Sequence, residues 1–189
     1  MPQLVFPDIS HKQSYLDMIS EWASFEDIHE ASPGRLFASE SFEEFLGIVT
    51  QDITHNSQWV NSHLFFLVEN GRVLWAIQIR HHIDHPNLIE VGGHIGYGIR
   101  PSERGKWYAT EMLRLTLLEA KKLWLEKVLI TCHDDNIASA KVIENNGGVF
   151  ERFAYRDDVK FRRYWIMLKG TVRVEWSYRN KNPTSYCSC

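Results

Sequence analysis

The chain has 189 residues, with 21 Lys and Arg against 24 Asp and Glu, which gives a net charge of −3. This mildly acidic balance argues against a nucleic-acid-binding scaffold, because phosphate binding depends on an excess of cationic side chains. With 44% hydrophobic residues, the chain is expected to bury one sizeable core. No apolar run approaches the roughly 18 residues of a membrane span, and residues 1–10 do not resemble a secretory signal.

The N-terminal part predicts two amphipathic helices, over residues 8–23 and 41–55, where apolar residues are spaced among acidic and amide side chains. Pro33 and Gly34 separate the two helices. Ser41 and Glu44 fit a capping box, in which each side chain accepts a backbone N–H bond from the other residue.

The middle of the chain changes to the two-residue period of β-strands. Residues 63–68 and 73–80 are predicted as a hairpin, because Asn70-Gly71 between them is a strong turn signal. After a polar loop over residues 81–88, residues 92–99 are predicted as a third strand. Its large side chains share one face, opposite a second face formed by His94, Gly96 and Gly98.

The remaining elements alternate between helix and strand. Residues 105–123 and 137–145 are predicted as helices, 127–132 as a strand buried on both faces, and 149–155 with 161–168 as a final strand pair. This order predicts an α/β fold with a mixed central β-sheet, in which strands 93–99 and 127–133 are adjacent and parallel. We expect one domain over residues 1–169 and a tail over residues 170–189.

The three cysteines are too few for a disulfide framework, which favours a reducing, cytoplasmic compartment. Cys132 is expected in the core, and the terminal Cys187 and Cys189 in a frayed end rather than a metal site.

Other residue clusters are discounted. His81, His82, Asp84 and His85 have the residue types of a zinc site, but neighbouring strand residues point to opposite faces, so a loop is favoured over a metal site. The basic pairs Lys121-Lys122 and Arg162-Arg163 are expected on solvated faces.

The segment over residues 99–113 carries the chemistry. A strand ends there, a loop containing Pro101 and Gly105 turns, and a helix begins. The free N–H groups of that helix end form an anion site together with the charges of Arg104 and Lys106. From the residues alone, a phosphate cradle and an ordinary basic turn both remain open.

This segment resembles the acetyl-CoA-binding loop of the GNAT N-acetyltransferase superfamily, whose pattern Gln/Arg-x-x-Gly-x-Gly/Ala is matched by Arg104, Trp107 and Ala109. Downstream, Asn136 and Ser139 followed by Glu144 and Gly147 resemble the family's Asn-x-x-Ser/Ala…Glu-x-x-Gly helix. The resemblance extends over residues 60–168 and implies a splayed central sheet, with acetyl-CoA as the acetyl donor.

The resemblance also implies which residues bind the cofactor. Backbone N–H groups of the loop would hold the pyrophosphate; these belong to Arg104, Gly105, Lys106, Trp107, Tyr108 and Ala109. The backbone of Tyr97, Gly98 and Ile99 would pair with the pantetheine amides, and Asn136 and Ser139 would approach from the next strand-to-helix turn.

The acceptor implied by the family is a primary amine on a small molecule, a peptide or a protein. The oligomeric state of the chain itself stays open, a homodimer included. The amine must lose a proton before it attacks, so His94 and Glu90 are the catalytic candidates, together with Asn136. A packed, hydrogen-bonded His94 is the competing interpretation. The family's usual Tyr acid is replaced by Ile143, so no acid is assigned there. Four aromatic residues are expected mostly in the core, with some lining the acceptor site: Trp22, Phe25, Phe37 and Trp59.

Three tryptophans stand where relatives commonly have glycine: Trp75, Trp107 and Trp124. At Trp107 an indole competes with pyrophosphate for space, so weaker acetyl-CoA binding than in a Trp107→Gly variant is expected. This feature supports a rival hypothesis, a GNAT-fold protein that binds acetyl-CoA poorly and serves as a non-catalytic or binding protein. A second rival is a binder of another phosphate ligand at the same helix end. It is disfavoured because no nucleotide P-loop or G-x-G-x-x-G motif is present.

Overall fold

The computed structural model describes residues 2–24, 39–55, 60–106 and 108–168, and its strands form two antiparallel sheets. The first sheet has the order β1-β2-β3-β4 and the second the order β5-β7-β6. The first contains β1 (Gln3–Val5), β2 (Ser62–Glu69), β3 (Arg72–Arg80) and β4 (Ile95–Ile99). The second contains β5 (Lys127–His133), β6 (Val149–Arg156) and β7 (Val159–Met167).

Among the described residues, four α-helices flank the sheets: α1 (Lys12–Ala23), α2 (Phe42–Gln51), α3 (Tyr108–Lys122) and α4 (Ile137–Asn145). Within the described ranges, no helix has the length and apolar character of a membrane span. The predicted cap of α2 is half correct. Ser41 Oγ accepts the Glu44 N–H at 3.1 Å, but the Glu44 carboxylate accepts the N–H of Glu40 instead of that of Ser41.

Two hydrophobic cores lie on the two sides of the first sheet, and β3 contributes to both. Trp75, Ile77 and Ile79 pack in the core that contains α3 and α4, whereas Val73 and Ala76 pack in the core of α1 and α2. This double packing explains why β3 is buried along most of its length.

The α/β fold class is confirmed, but the described strands form two antiparallel sheets rather than one continuous mixed ladder. Next to β4, the N–H of His94 donates to the Leu129 carbonyl of β5 at 2.8 Å, and the Leu129 N–H donates to His94 Nδ1 at 2.9 Å. No strand ladder between β4 and β5 continues from this point among the described residues. The two strands are therefore neighbours joined at one end, and a gap separates them beyond it.

Several boundaries differ from the sequence-based expectation for local reasons. β4 begins at Ile95 rather than near residue 92, because a π-helical turn (Leu88–Gly92) and Gly93 at φ +64° precede it. α3 begins at Tyr108 rather than at residue 105, because a 3₁₀ turn (Pro101–Glu103) and Gly105 at φ +75° come first. The short β1 was not predicted, since three residues are too few for a period to show.

Candidate active site

The edge of β4 that faces the gap presents backbone groups outside the ladder. β4 pairs with β3 through bonds that include Arg80 N–H to the His94 carbonyl and Arg100 N–H to the Leu74 carbonyl. Because N–H and C=O groups alternate sides along an antiparallel strand, the backbone groups of Tyr97 and Ile99 point away from β3. In the described part of the chain no strand pairs with that edge. The edge therefore offers N–H donors and C=O acceptors to an extended, amide-bearing ligand.

A hydroxyl pair connects β4 to the start of α4. Tyr97 Oη lies 2.5 Å from Ser139 Oγ, and burial raises the pKa of Tyr97 to about 12, against the lowering effect of that hydrogen bond. Cys132 of β5 lies beside the same serine, and burial raises the pKa of its thiol to about 11. Cys132 is therefore a protonated core thiol, as expected from the sequence.

Asn136 is the N-cap of α4. Its Oδ1 accepts the N–H of Ser139 at 3.0 Å, which satisfies one of the free amides at this helix end. The structure thus brings three predicted site residues together: Tyr97, Asn136 and Ser139. The amide NH₂ group of Asn136 is not used by this cap.

The loop between β4 and α3 is tied to α1. The Glu21 carboxylate accepts Arg100 Nε–H at 2.5 Å and the Ser102 backbone N–H at 2.5 Å. Burial acts to raise the pKa of Glu21, but the hydrogen bonds from Arg100 and Ser102 outweigh it and lower the pKa. The loop is therefore anchored where it leaves the sheet.

The charged side chains of this loop have partners within the protein. Glu103, only 3% exposed, accepts bonds from Arg72 Nη1 at 2.6 Å and from Lys106 Nζ at 2.7 Å. The guanidinium of Arg104 lies 4.8 Å from the ring centre of Trp22, a cation–π distance. These side chains shape the loop, which leaves its anion-binding capacity mainly with backbone N–H groups.

The start of α3 carries the predicted anion-binding amides. Gly105 has the positive φ that only glycine adopts readily, and the helix begins at Tyr108 and continues through Ala109. The Tyr108 hydroxyl donates to Glu69 at 3.0 Å, and this bond to a carboxylate raises the pKa of Tyr108. Trp107 lies outside the described residues. The N–H groups of the first helical turn and the helix dipole favour an anion at this end.

His94 is 7% exposed, and its ring lies edge-on to Trp165. Its Nδ1 accepts the Leu129 N–H, so the neutral imidazole carries its proton on Nε2. Burial lowers the pKa of His94 to about 4, and the nearby Arg80 adds to the effect. The ring is therefore neutral near pH 7 and is packed and hydrogen-bonded.

Glu90 lies in the π-helical turn that precedes β4. Its carboxylate accepts two bonds from Arg152, at 2.7 and 3.0 Å, and this pairing lowers the pKa of Glu90.

The expectation of a solvated Arg162-Arg163 pair is wrong for Arg163, which is 4% exposed. Arg163 donates to Glu151 at 2.7 Å and to the carbonyls of Ile89 and Glu90, because the end of the turn needs donors.

The discounted histidine cluster is divided in the structure. His81 Nε2 lies 2.8 Å from His63 Nδ1, whereas His82 pairs with Asp84 at 3.1 Å. The residues that the structure describes contain no group of three or more metal-ligating side chains. Of the four aromatic residues in the N-terminal half, Trp22 is buried, and Phe25, Phe37 and Trp59 lie outside the described residues.

Several site-shaping residues were missed by the sequence analysis. They are Gly93, Arg80, Glu21 and Glu103, whose partners lie on other elements. Only Gly92-Gly93 had a local signal, since paired glycines before a strand indicate a bulge or a close backbone approach. A lone Arg or Glu in a strand or helix pattern shows no such signal.

Comparison with solved structures shows that this fold is similar to the folds of several acetyltransferases. A variant of the spermidine N-acetyltransferase SpeG from Vibrio cholerae matches with a TM-score of 0.61 and 16% identity, over 90% of this chain and 98% of that one. An N-acetyltransferase from Staphylococcus aureus matches with a TM-score of 0.59 and 17% identity, over 89% and 99%. The microcin self-immunity acetyltransferase MccE, solved with acetyl-CoA and AMP, matches with a TM-score of 0.57 and 17% identity, over 88% and 92%.

The family is shown by sequence. The model of the acetyltransferase (GNAT) domain matches residues 11–149, so the chain belongs to the GNAT acetyltransferase family. The prediction of this family from the loop and helix motifs is confirmed. No curated protein sequence matches the chain significantly.

Proposed function

We propose that this protein is an N-acetyltransferase that transfers an acetyl group from acetyl-CoA to a primary amine. Family membership supports acetyl transfer, and the structural neighbours include an enzyme named for spermidine and one solved with acetyl-CoA. The amine would attack the thioester carbon, and the sulfur of CoA would leave and take up a proton. The acceptor is a small-molecule, peptide or protein amine.

The observation that carries this proposal is the β4 edge beside the gap. Its Tyr97 and Ile99 amides lie outside the ladder, and the loop at residues 104–106 leads from the same strand into the start of α3. A pantetheine arm needs amide partners along an extended edge, and its pyrophosphate needs N–H groups at a helix end. One strand and its following loop would supply both, in the order in which the two parts of the cofactor occur, and this supports the proposal.

The acid–base residues of the reaction are proposals. Glu90 stays a predicted base, although its carboxylate already binds Arg152. His94, the other predicted base, already uses its Nδ1 lone pair to accept the Leu129 N–H. Asn136 would use its amide NH₂ group toward the pantetheine or an ordered water. At Ile143, fully buried, no proton donor is present, and the hydroxyls of Tyr97 and Ser139 form a pair between β4 and α4.

The test is calorimetric titration with acetyl-CoA, followed by measurement of free thiol release with a panel of amines. The variant Trp107→Gly is expected to bind acetyl-CoA at least about tenfold more tightly than the wild type, because an indole competes with pyrophosphate for space. Trp124→Gly is the matched control, since it makes the same change at the other end of α3.

The outcomes separate the proposal from its rival. Thiol release that depends on a primary amine supports the acetyltransferase. If neither the wild type nor Trp107→Gly binds acetyl-CoA, the rival non-catalytic function is favoured. If both bind equally well, the steric argument at Trp107 is wrong while the acetyltransferase proposal stands.

We also propose that the protein works in the cytoplasm as one domain over residues 1–169, followed by a tail over residues 170–189. The buried, protonated thiol of Cys132 and the small number of cysteines support a reducing compartment. The tail lies outside the described residues, and the oligomeric state, a homodimer included, is open to measurement by light scattering.

A further inference from the structure

We propose that His94 is a positioning residue, whose imidazole accepts the Leu129 N–H, ends the pairing between the two sheets and holds open the gap beside β4. The proposal rests on the proposed function in one respect, that this gap receives the pantetheine arm. His94 then acts on catalysis through Leu129, and it does not take the proton of the amine.

The hydrogen bonds around His94 join the two sheets at one residue. Its N–H donates to the Leu129 carbonyl at 2.8 Å, and its own carbonyl accepts the Arg80 N–H at 2.8 Å. The Leu129 N–H, which a continuing ladder would direct to a main-chain carbonyl, is taken instead by His94 Nδ1 at 2.9 Å. A side chain thus replaces a carbonyl at the point where the ladder ends.

The backbone before His94 is built for this close approach. A Cβ on Gly93 would lie 2.5 Å from the Leu129 carbonyl oxygen, and Gly93 has φ +64°. Arg80 Nη1 donates to the carbonyls of Gly92 at 3.2 Å and Gly93 at 3.0 Å. These contacts fix the peptide that carries His94 against β5.

The protonation state of the ring agrees with a fixed acceptor. Four charged or titratable groups act on the imidazole: Arg80, His82, Lys127 and Asp84. Burial is the main cause of its lowered pKa, and Arg80 is the next. With Nδ1 bonded and the proton on Nε2, the neutral ring has no lone pair left for an amine proton.

The experiment compares two variants of the full chain. His94→Asn keeps an acceptor, because its Oδ1 takes a place close to that of Nδ1, but removes the titrating ring. His94→Leu removes the acceptor and puts an apolar side chain of similar size in its place. The measurements are the Leu129 amide exchange rate, the acetyl-CoA dissociation constant, and kcat and KM from pH 5 to 9.

A positioning role predicts rescue by asparagine. His94→Asn is expected to keep Leu129 amide protection and acetyl-CoA affinity within about twofold of the wild type, with the same pH profile. In His94→Leu, the Leu129 amide is expected to exchange at least about tenfold faster. The KM for acetyl-CoA is expected to rise by a larger factor than kcat falls.

Loss of kcat of about 100-fold or more in both variants, with a changed pH profile and unchanged Leu129 exchange, would establish His94 as the base and overturn the proposal. Unchanged Leu129 exchange in His94→Leu would also overturn it. If that variant does not fold, nitrogen chemical shifts of the wild-type imidazole decide, since a bonded Nδ1 and protonated Nε2 are required. The Leu129 exchange rate and the imidazole nitrogen shifts can be measured even if acetyl-CoA does not bind, so a failure of the proposed function is recognised separately.

Discussion

Trp124 adopts a backbone conformation that is unfavourable for its side chain. It follows α3 with φ +63° and is 59% exposed, so little packing compensates for the strain. The Leu125 N–H bonds to the Ala120 carbonyl at 3.3 Å and the Trp124 N–H to the Lys121 carbonyl at 3.0 Å, the pattern of a Schellman cap. The sequence-based expectation of a glycine-like site is confirmed at this residue.

We predict that Trp124→Gly stabilises the protein by about 1 kcal/mol, because glycine adopts positive φ without the steric cost that a Cβ imposes. The free energy of unfolding in urea measures the effect. Trp124→Ala removes the indole and keeps the Cβ, so it is expected to give no comparable gain. Equal stabilisation by both variants would show that the exposed ring, and not the backbone, was responsible.

Trp75 differs from Trp124, although a glycine-like site was predicted at both positions. Its side chain is fully buried in the core with α3, its ring stacks near Tyr97, and it is not among the residues with positive φ. Its indole N–H has no hydrogen-bond partner in the described part of the chain. The indole therefore fills core space at this position. The effect of the third tryptophan, Trp107, on acetyl-CoA binding stays a prediction.

Two glycines allow a matched pair of predictions about an added Cβ. We expect Gly93→Ala to destabilise the protein by about 2 kcal/mol or more, since the new Cβ would meet the Leu129 carbonyl in a backbone of positive φ. Gly47→Ala, inside α2 with open space around it, is expected to stabilise by about 0.5–1 kcal/mol. Urea unfolding measures both, and a neutral Gly93→Ala would contradict the close approach of the two sheets.

At the level of secondary-structure elements, α1 and the loop after β4 are coupled through Glu21. Its carboxylate binds both a side chain and a backbone N–H of the loop. By contrast, Glu43 at the start of α2 pairs with Lys12 at 2.6 Å, and both of these side chains are exposed. The two acidic residues therefore test a partly buried anchor against a surface ion pair.

We predict that Glu21→Ala costs about 1.5–3 kcal/mol of stability, because bonds to a charged group are lost and the Ser102 N–H is left without its acceptor. Glu43→Ala is expected to change stability by less than about 0.5 kcal/mol, since exposed ion pairs contribute little. Acetyl-CoA titration of both variants adds a functional measurement, in which only Glu21→Ala is expected to bind more weakly. Similar stability losses in the two variants would contradict the anchoring role.

The pH dependence of stability belongs to the whole molecule, and His94 dominates its expected shape above pH 4. The pKa of His94 falls to about 4 in the folded protein, against 6.5 ordinarily. Between these values the imidazole binds a proton only in the unfolded chain. The contribution of His94 to the free energy of unfolding is therefore fully present above about pH 6.5 and is lost as the pH falls toward 4.

We predict a loss of up to about 3 kcal/mol from His94 as the pH falls from 6.5 to 4. His63 and His81, whose pKa values are also lowered mainly by burial, add to the loss in the same direction. Urea unfolding at several pH values measures it, and His94→Asn is expected to show a flatter curve while His63 and His81 keep their share. A variant curve parallel to that of the wild type would refute the assignment.

The sequence by itself determined the elements whose signals are local. The Asn70-Gly71 hairpin, the α4 helix, and the family motifs at Arg104 and Asn136 were all readable, because turn chemistry and periodicity act over a few residues. The role of Asn136 as the N-cap of α4 came from the structure. The α/β fold class and the GNAT family followed from these signals, and both are confirmed.

Only the tertiary structure decided how the two sheets meet. Predicting the split required knowing that the Leu129 N–H finds His94 Nδ1, that Arg80 caps the turn before it, and that Arg163 is buried beneath Glu90. These partners are 35, 13 and 73 positions apart along the chain. A buried polar group must find a partner wherever the fold places one, and no local pattern records which partner that is.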